Sequence, residues 1–102
     1  MPSGVVKYTK EDKLWALKVK ERDLFKCVIC GKTENLNSHH IIVRENKDTK
    51  YDINNGLTLC SNHHIFDRKI SAHNNPLGLF LWMMRNRKEQ LKYLLLKQEG
   101  LL

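Results

Sequence analysis

Cys27 and Cys30 are separated by two residues, the spacing at which a tight turn can offer two thiolates to one tetrahedral ion. Cys60 supplies a third thiol, and His63 follows it in the same two-residue register. Cys27, Cys30, Cys60 and His63 therefore make a three-sulfur, one-nitrogen set suited to a structural zinc ion. A lone CxxC is shared with redox motifs, whereas a CxxC joined to a CxxH in one short chain is much more selective. The competing reading is three buried or redox cysteines beside a surface histidine. It leaves Cys60 without a partner thiol. Cysteines bind zinc as thiolates, so three of them on a divalent ion would lower the formal charge by about one unit.

The 29 residues between Cys30 and Cys60 contain a second set of chemistry-bearing residues: His39-His40 and Asn54-Asn55. Four of the five histidines stand in adjacent pairs, His39-His40 and His63-His64. Neighbouring residues on a helix point about 100° apart, so if His63 takes zinc, His64 is free for another metal or for substrate. Asp67, three residues on, could share that face as a further ligand, or pair with a nearby lysine or arginine. The fifth histidine, His73, lies before Asn75-Pro76.

Certain elements must position these residues. Thr9 and Asp12 have capping-box spacing, and Leu14, Leu17 and Leu24 suggest an apolar stripe, so a first helix is expected at about 10–23. Met1 to Tyr8 reads as a loose arm. Leu36 to Val43 becomes β-branched toward its end and predicts a strand. Arg44 to Gly56 is polar and reads as a loop, Leu57 to Leu59 as a short return strand, and Cys60 to about Ile70 as a helix. Asn75-Pro76 has the form of a cap with proline at the first helical position. From there Leu77, Phe80, Leu81, Met84, Leu91, Leu94 and Leu95 predict one apolar helical face over about 76–98. Adjacent strand residues point to opposite faces, so His39 and His40 can serve one site only near a strand end. The order helix, knuckle, hairpin, helix, helix is an α+β fold.

A chain of 102 residues with 41% hydrophobic residues fits one small domain, read here as residues 9–98 behind the arm at 1–8. A core this small often needs a staple, and three cysteines cannot all pair with one another. Met1 to Lys20 is lysine-rich and does not read as a leader, and Leu77 to Met84 is too short to span a bilayer. These features imply a cytoplasmic, reducing setting, where cysteines more often bind metal than form bridges, and no membrane partner. The formal charge of +7 favours a polyanionic partner, though a merely solvated basic surface would carry the same charge.

Leu36-Asn37-Ser38-His39-His40-Ile41-Ile42, then Asn55-Gly56-Leu57-Thr58-Leu59-Cys60, then His63-His64, resembles the HNH endonuclease family and its ββα-metal fold. The residue types and spacings together make the likeness specific. It implies a zinc-stapled ββα core at about 25–73 and a nuclease cutting DNA with low sequence preference. By position, His40 would be the general base, and His39 and His64 would hold a catalytic divalent cation such as Mg2+, Mn2+ or Ni2+. Asn55 would orient the loop carrying the base, with Asn54 as the alternative one residue away. Many relatives have cysteine as fourth zinc ligand where His63 stands, so His63 and His64 could exchange duties. Arg44 could clamp a phosphate or be solvated; His73 could touch substrate or metal, or serve as a cap. The small size and the flanks are similar to HNH proteins of phages and prophages, which implies packaging or replication proteins as partners. The alternative is a non-catalytic zinc module that binds nucleic acid or a packaging partner.

Overall fold

Thr9 opens the first helix with a reciprocal cap. Its hydroxyl accepts from the Asp12 N–H at 3.1 Å, and the Asp12 carboxylate accepts from the Thr9 N–H at 2.9 Å. The computed structural model describes residues 7–101, so most of the arm expected at 1–8 lies outside the described residues. Helix α1 runs Lys10–Arg22, within a residue of expectation. Its buried face differs from the expected one. Asp12, Trp15 and Val19 are buried, whereas Leu14, Leu17 and Leu24 are 51%, 46% and 72% exposed. Trp15 and Val19 pack against the sheet, Trp15 on the His40 ring and both beside Gly56.

The sheet has two antiparallel strands, β1 (Leu36–His40) and β2 (Gly56–Cys60). β1 is shorter than expected, because beyond His40 the chain turns and Ile42 is held by the Asn55 side chain. The register pairs His39 with Leu57 and His40 with Gly56. Directly opposed residues share a face, so His39 lies on the side of Leu57 and His40 on the side of Gly56. Gly56 is required here by close approach. A Cβ added to it would lie 2.5 Å from Val19 Cγ2 and 2.9 Å from the Trp15 ring.

Past β2, the helix expected to reach about Ile70 is a single wide turn, Asn62–Phe66, closed by the Asp67 N–H donating to the Asn62 carbonyl at 2.7 Å. The Asp67 carboxylate accepts from the Lys69 and Ile70 N–H groups and folds the chain back. Asp67 is thus a turn cap. The returning segment runs beside the wide turn, with Ala72 N–H donating to the His63 carbonyl and His73 N–H to the His64 carbonyl.

Asn75 caps α2 (Pro76–Asn86) through its side-chain oxygen on the Gly78 N–H, as the Asn-Pro pair predicts. The single long C-terminal helix is instead two, α2 and α3 (Lys88–Gln98), broken at Arg87 with φ −134° and ψ 45°. The Arg87 side chain reaches the buried Asp23 at 3.3 Å and Gln90 at 3.1 Å. The break brings Leu79 and Met83 of α2 and Leu91 of α3 into one core with Leu57, Leu59, Cys27, Cys60 and Ala72. Of the seven residues expected on one apolar face, Leu91 and Leu94 are buried, whereas Leu77, Phe80, Leu81, Met84 and Leu95 are between 42% and 80% exposed. The sheet thus lies between α1 and the α2–α3 pair, an α+β arrangement consistent with a ββα-metal fold. No helix among the described residues is long and apolar enough to cross a membrane.

Candidate metal and catalytic sites

The knuckle at Cys27–Gly31 closes because Gly31 takes φ +78°, where its N–H donates to the Cys27 carbonyl at 2.9 Å. The Val28 N–H donates to the Thr58 carbonyl and ties the knuckle to β2, next to Cys60. The three sulfurs of Cys27, Cys30 and Cys60 lie within 4.8 Å of one another, and Cys30 Sγ is 3.8 Å from Cys60 Sγ. All three thiols are free of disulfides. Two thiolates about 2.3 Å from one tetrahedral ion would stand about 3.8 Å apart, so the set fits zinc. Burial pushes the Cys27 thiol up, but the N–H groups of Cys30, Cys60 and Ile29 directed at it outweigh burial and leave it lowered.

His63 is not among the atoms grouped with the sulfurs. Its Nδ1 is 2.8 Å from the Ile70 carbonyl. A carbonyl can only accept, so Nδ1 carries the proton and the lone pair sits on Nε2. That is the usual state of a metal-ligating imidazole, oriented by a backbone carbonyl.

His64 faces the other way. The ring nitrogens of His39, His64 and His73 form a second group within 4.8 Å, with the three rings mutually edge-on at centroid distances of 4.7–5.4 Å. The pairing of His39 with His64 rather than His63 follows from the strand face of His39 and the path of the wide turn. His73 joins them because its backbone is hydrogen-bonded to that of His64. Sequence spacing left His73 among several roles. The signal for its place lay in Asp67 and Ser71, the turn-capping residues that reverse the chain; Ser71 Oγ accepts from the Asn74 and Asn75 N–H groups.

Whether this trio fits a cation turns on spacing: His64 Nε2 is 3.2 Å from His73 Nε2. Two nitrogens about 2.1 Å from one ion, at angles between octahedral and tetrahedral, stand roughly 3.0–3.4 Å apart. The residues fit. Burial pushes His39 down to about 3, helped by the neighbouring His64, His73 and His40, and burial followed by His73 lowers His64. Both are therefore neutral near pH 7, the form that ligates.

His40 lies on the opposite face of β1. Its ring stacks on Trp15 at 3.8 Å between centroids and 7° between planes, and Trp15 is itself fixed by Nε1–H donating to the Asp52 carbonyl at 2.8 Å. His40 Nε2 is 2.8 Å from the Lys50 carbonyl, so Nε2 is protonated and Nδ1 holds the free lone pair. Burial, then the cations Arg44 and Lys50, pull His40 down against the Lys50 carbonyl and Asp12, with a net lowering. Trp15 and Asp12 were not apparent from the sequence as partners of this site. Their spacing with Val19, at 12, 15 and 19, was the helical signal that the leucines masked.

Asn55 is fully buried. Its Oδ1 accepts from the Ile42 N–H at 2.6 Å, and its Nδ2 donates to the Ile42 and Thr49 carbonyls at 3.0 and 3.1 Å. It joins the end of β1 to the loop carrying Lys50. Asn54 is exposed and offers its backbone carbonyl to Gln90. Arg44 lies 3.6 Å from Asp12 and over the Tyr8 ring at 5.6 Å. His39, His40, His64, His73 and Arg44 all line one groove of about 630 Å³, which follows the unpaired edge of β1.

Residues 27–70 match the family model described as HNH endonuclease. The likeness to the HNH endonuclease family rests on this stretch, 44 of the 102 residues. The HNH segment contains the knuckle, both strands, Asn55 and the His39, His40 and His64 positions, and ends three residues before His73. HNH nucleases use divalent metals, and both groups found here suit that chemistry. No curated protein and no solved structure gives a significant match to the chain.

Proposed function

We propose that this chain is a metal-dependent HNH endonuclease that hydrolyses DNA phosphodiester bonds, nicking or cutting with little sequence preference. The observation that supports it most is the convergence of His39, His64 and His73 beside His40 in one groove. A structural zinc site needs none of these four residues.

In this reading His40 Nδ1 takes the proton of the attacking water, with the Lys50 carbonyl fixing the tautomer and Trp15 the ring plane. Asn55 acts as a positioning residue, holding the strand end and the Lys50 loop at one distance from each other. His39, His64 and His73 would hold a divalent cation, Mg2+, Mn2+ or Ni2+, which would supply polarisation of the scissile phosphate and stabilisation of the leaving 3′ oxygen. Products carry 5′ phosphates, as the family implies. Arg44 neutralises a backbone phosphate at the groove, a contact that positions the DNA without reading its sequence. Cys27, Cys30 and Cys60, with His63 through Nε2, hold the structural zinc. The setting is cytoplasmic, in a bacterial or phage-infected cell, with phage packaging or replication proteins as partners.

The test is nicking of supercoiled plasmid with added divalent cation. His40→Ala should abolish nicking while zinc stays at about one per chain, the stoichiometry of a single closed site. Full nicking by that variant would overturn the mechanism.

A further inference from the structure

The HNH match begins at Cys27 and leaves α1 outside it. Yet α1 forms one wall of the groove, through Asp12, Lys13, Trp15, Ala16 and Lys20. Lys13, Ala16 and Lys20 recur at intervals of three and four residues and so share one face of the helix. Ala16 is where the helix meets the strand, its carbonyl accepting from Ser38 Oγ at 2.7 Å. Ser38 lies two residues before His40 on the same sheet face, and Trp15, next to Ala16, stacks on His40 itself. The His40 ring therefore sits at a level between the two lysines.

Arg44, the other Lys or Arg side chain lining the groove, already has a carboxylate beside it. Arg44 and Lys50 share Asp12 at 3.6 and 3.9 Å, while Arg22 and Arg87 share Asp23 outside it. Lys13 and Lys20 take part in no ion pair among the described residues. Asp12 is neutralised, and Glu45, the groove's other acid, is the chain neighbour of Arg44. Two uncompensated ammonium groups thus face a groove whose middle holds the histidines. Seven residues of helix span about 10 Å, the axial rise of about three nucleotides of one strand.

We propose that Lys13 and Lys20 are positioning residues for the substrate, each holding a backbone phosphate of the DNA strand on one side of the phosphate presented to His40. Helix α1 is then part of the DNA-binding surface, and the strand runs parallel to its axis between helix and strand edge. This rests on the nuclease reading above and extends it to residues outside the HNH segment.

The test measures binding of a short fluorescein-labelled duplex by anisotropy as a function of salt, alongside plasmid nicking. The variants are Lys13→Gln, Lys20→Gln, the pair together, Lys20→Arg, and Lys92→Gln on the exposed side of α3. Each groove lysine removed should reduce the slope of log affinity against log salt by about 0.9, and the pair by about twice that. KM should rise with kcat unchanged, Lys20→Arg should restore the wild-type slope, and Lys92→Gln should leave it alone. Thermal midpoints should not move. A chain that nicks, with wild-type slope and KM in both glutamine variants, overturns the inference and leaves the nuclease reading intact. Lysine-dependent binding without metal-dependent nicking would sink the nuclease reading and keep the α1 surface; absence of DNA binding would end both.

Discussion

Asn55→Ala tests how the site is held together. The side chain is fully buried and makes three hydrogen bonds to backbone groups, at 2.6, 3.0 and 3.1 Å. Each is worth about 1 kcal/mol net, and more where water cannot reach the orphaned group, so the loss is roughly 3 kcal/mol or above. For a domain of this size each kcal/mol moves the midpoint by about 4–8 °C, which gives a fall of roughly 12–24 °C. The assay is thermal unfolding of the zinc-loaded protein followed by near-UV circular dichroism. Asn54→Ala, one residue away and exposed, should stay within about 0.5 kcal/mol of wild type. At a temperature where Asn55→Ala remains folded, its kcat should drop with KM little changed, because the Lys50 carbonyl that fixes His40 loses its anchor through Thr49. Equal destabilisation by the two alanine variants would refute the assignment of Asn55 as the buried linchpin.

Gly56→Ala should destabilise by about 1–3 kcal/mol, since its Cβ would press on Val19 and Trp15, and Val19→Ala in the same chain should recover part of that loss in a urea-melt double-mutant cycle. Cys60→Ser should lose zinc, read by atomic absorption, and melt earlier, whereas His39→Ala should keep its zinc; full zinc in Cys60→Ser would contradict the cluster. Metal-stripped protein should lose stability as pH falls from about 6.5 toward about 3. His39 is depressed to about 3 in the folded chain, so across that window the unfolded state binds the extra proton and is favoured by acid. Chemical denaturation at several pH values checks this, and His39→Gln should flatten the dependence.

The capping residues were legible because their chemistry is local. Thr9 with Asp12, and Asn75 with Pro76, name helix starts whatever packs later. The zinc cysteines were legible for the same reason, since a knuckle is a short-range object. Leu14 and Leu17 misled because helical periodicity reports where apolar residues recur, not which recurrence finds a surface to bury against; the sheet chose Trp15 and Val19. The break at Arg87 carries no proline or glycine. At the break Arg87 pairs with Asp23, 64 residues away in sequence, a contact that no local pattern encodes. His73 was ambiguous because its partner is nine residues back across a reversal set by an aspartate cap and a serine cap.

The same distinction explains why the HNH segment is not self-sufficient. Residues 27–70 supply the ligand types, yet the loop at 52–56 that seats Asn55 is also held from outside them. Arg22 of α1 donates to the Ile53 and Gly56 carbonyls and Trp15 to the Asp52 carbonyl. From the other side of the sheet, Tyr93 of α3 donates to the Asp52 carboxylate, and Gln90 to the Asn54 and Gly56 carbonyls. A two-stranded hairpin is marginal alone in water, so strand and loop keep their geometry only while helices grip them from both faces. The flanking helices do more than enclose the motif. By fixing the loop at Asp52–Gly56 they fix Asn55, and through Asn55 the distance between the strand that carries His39 and His40 and the carbonyl that sets the His40 tautomer.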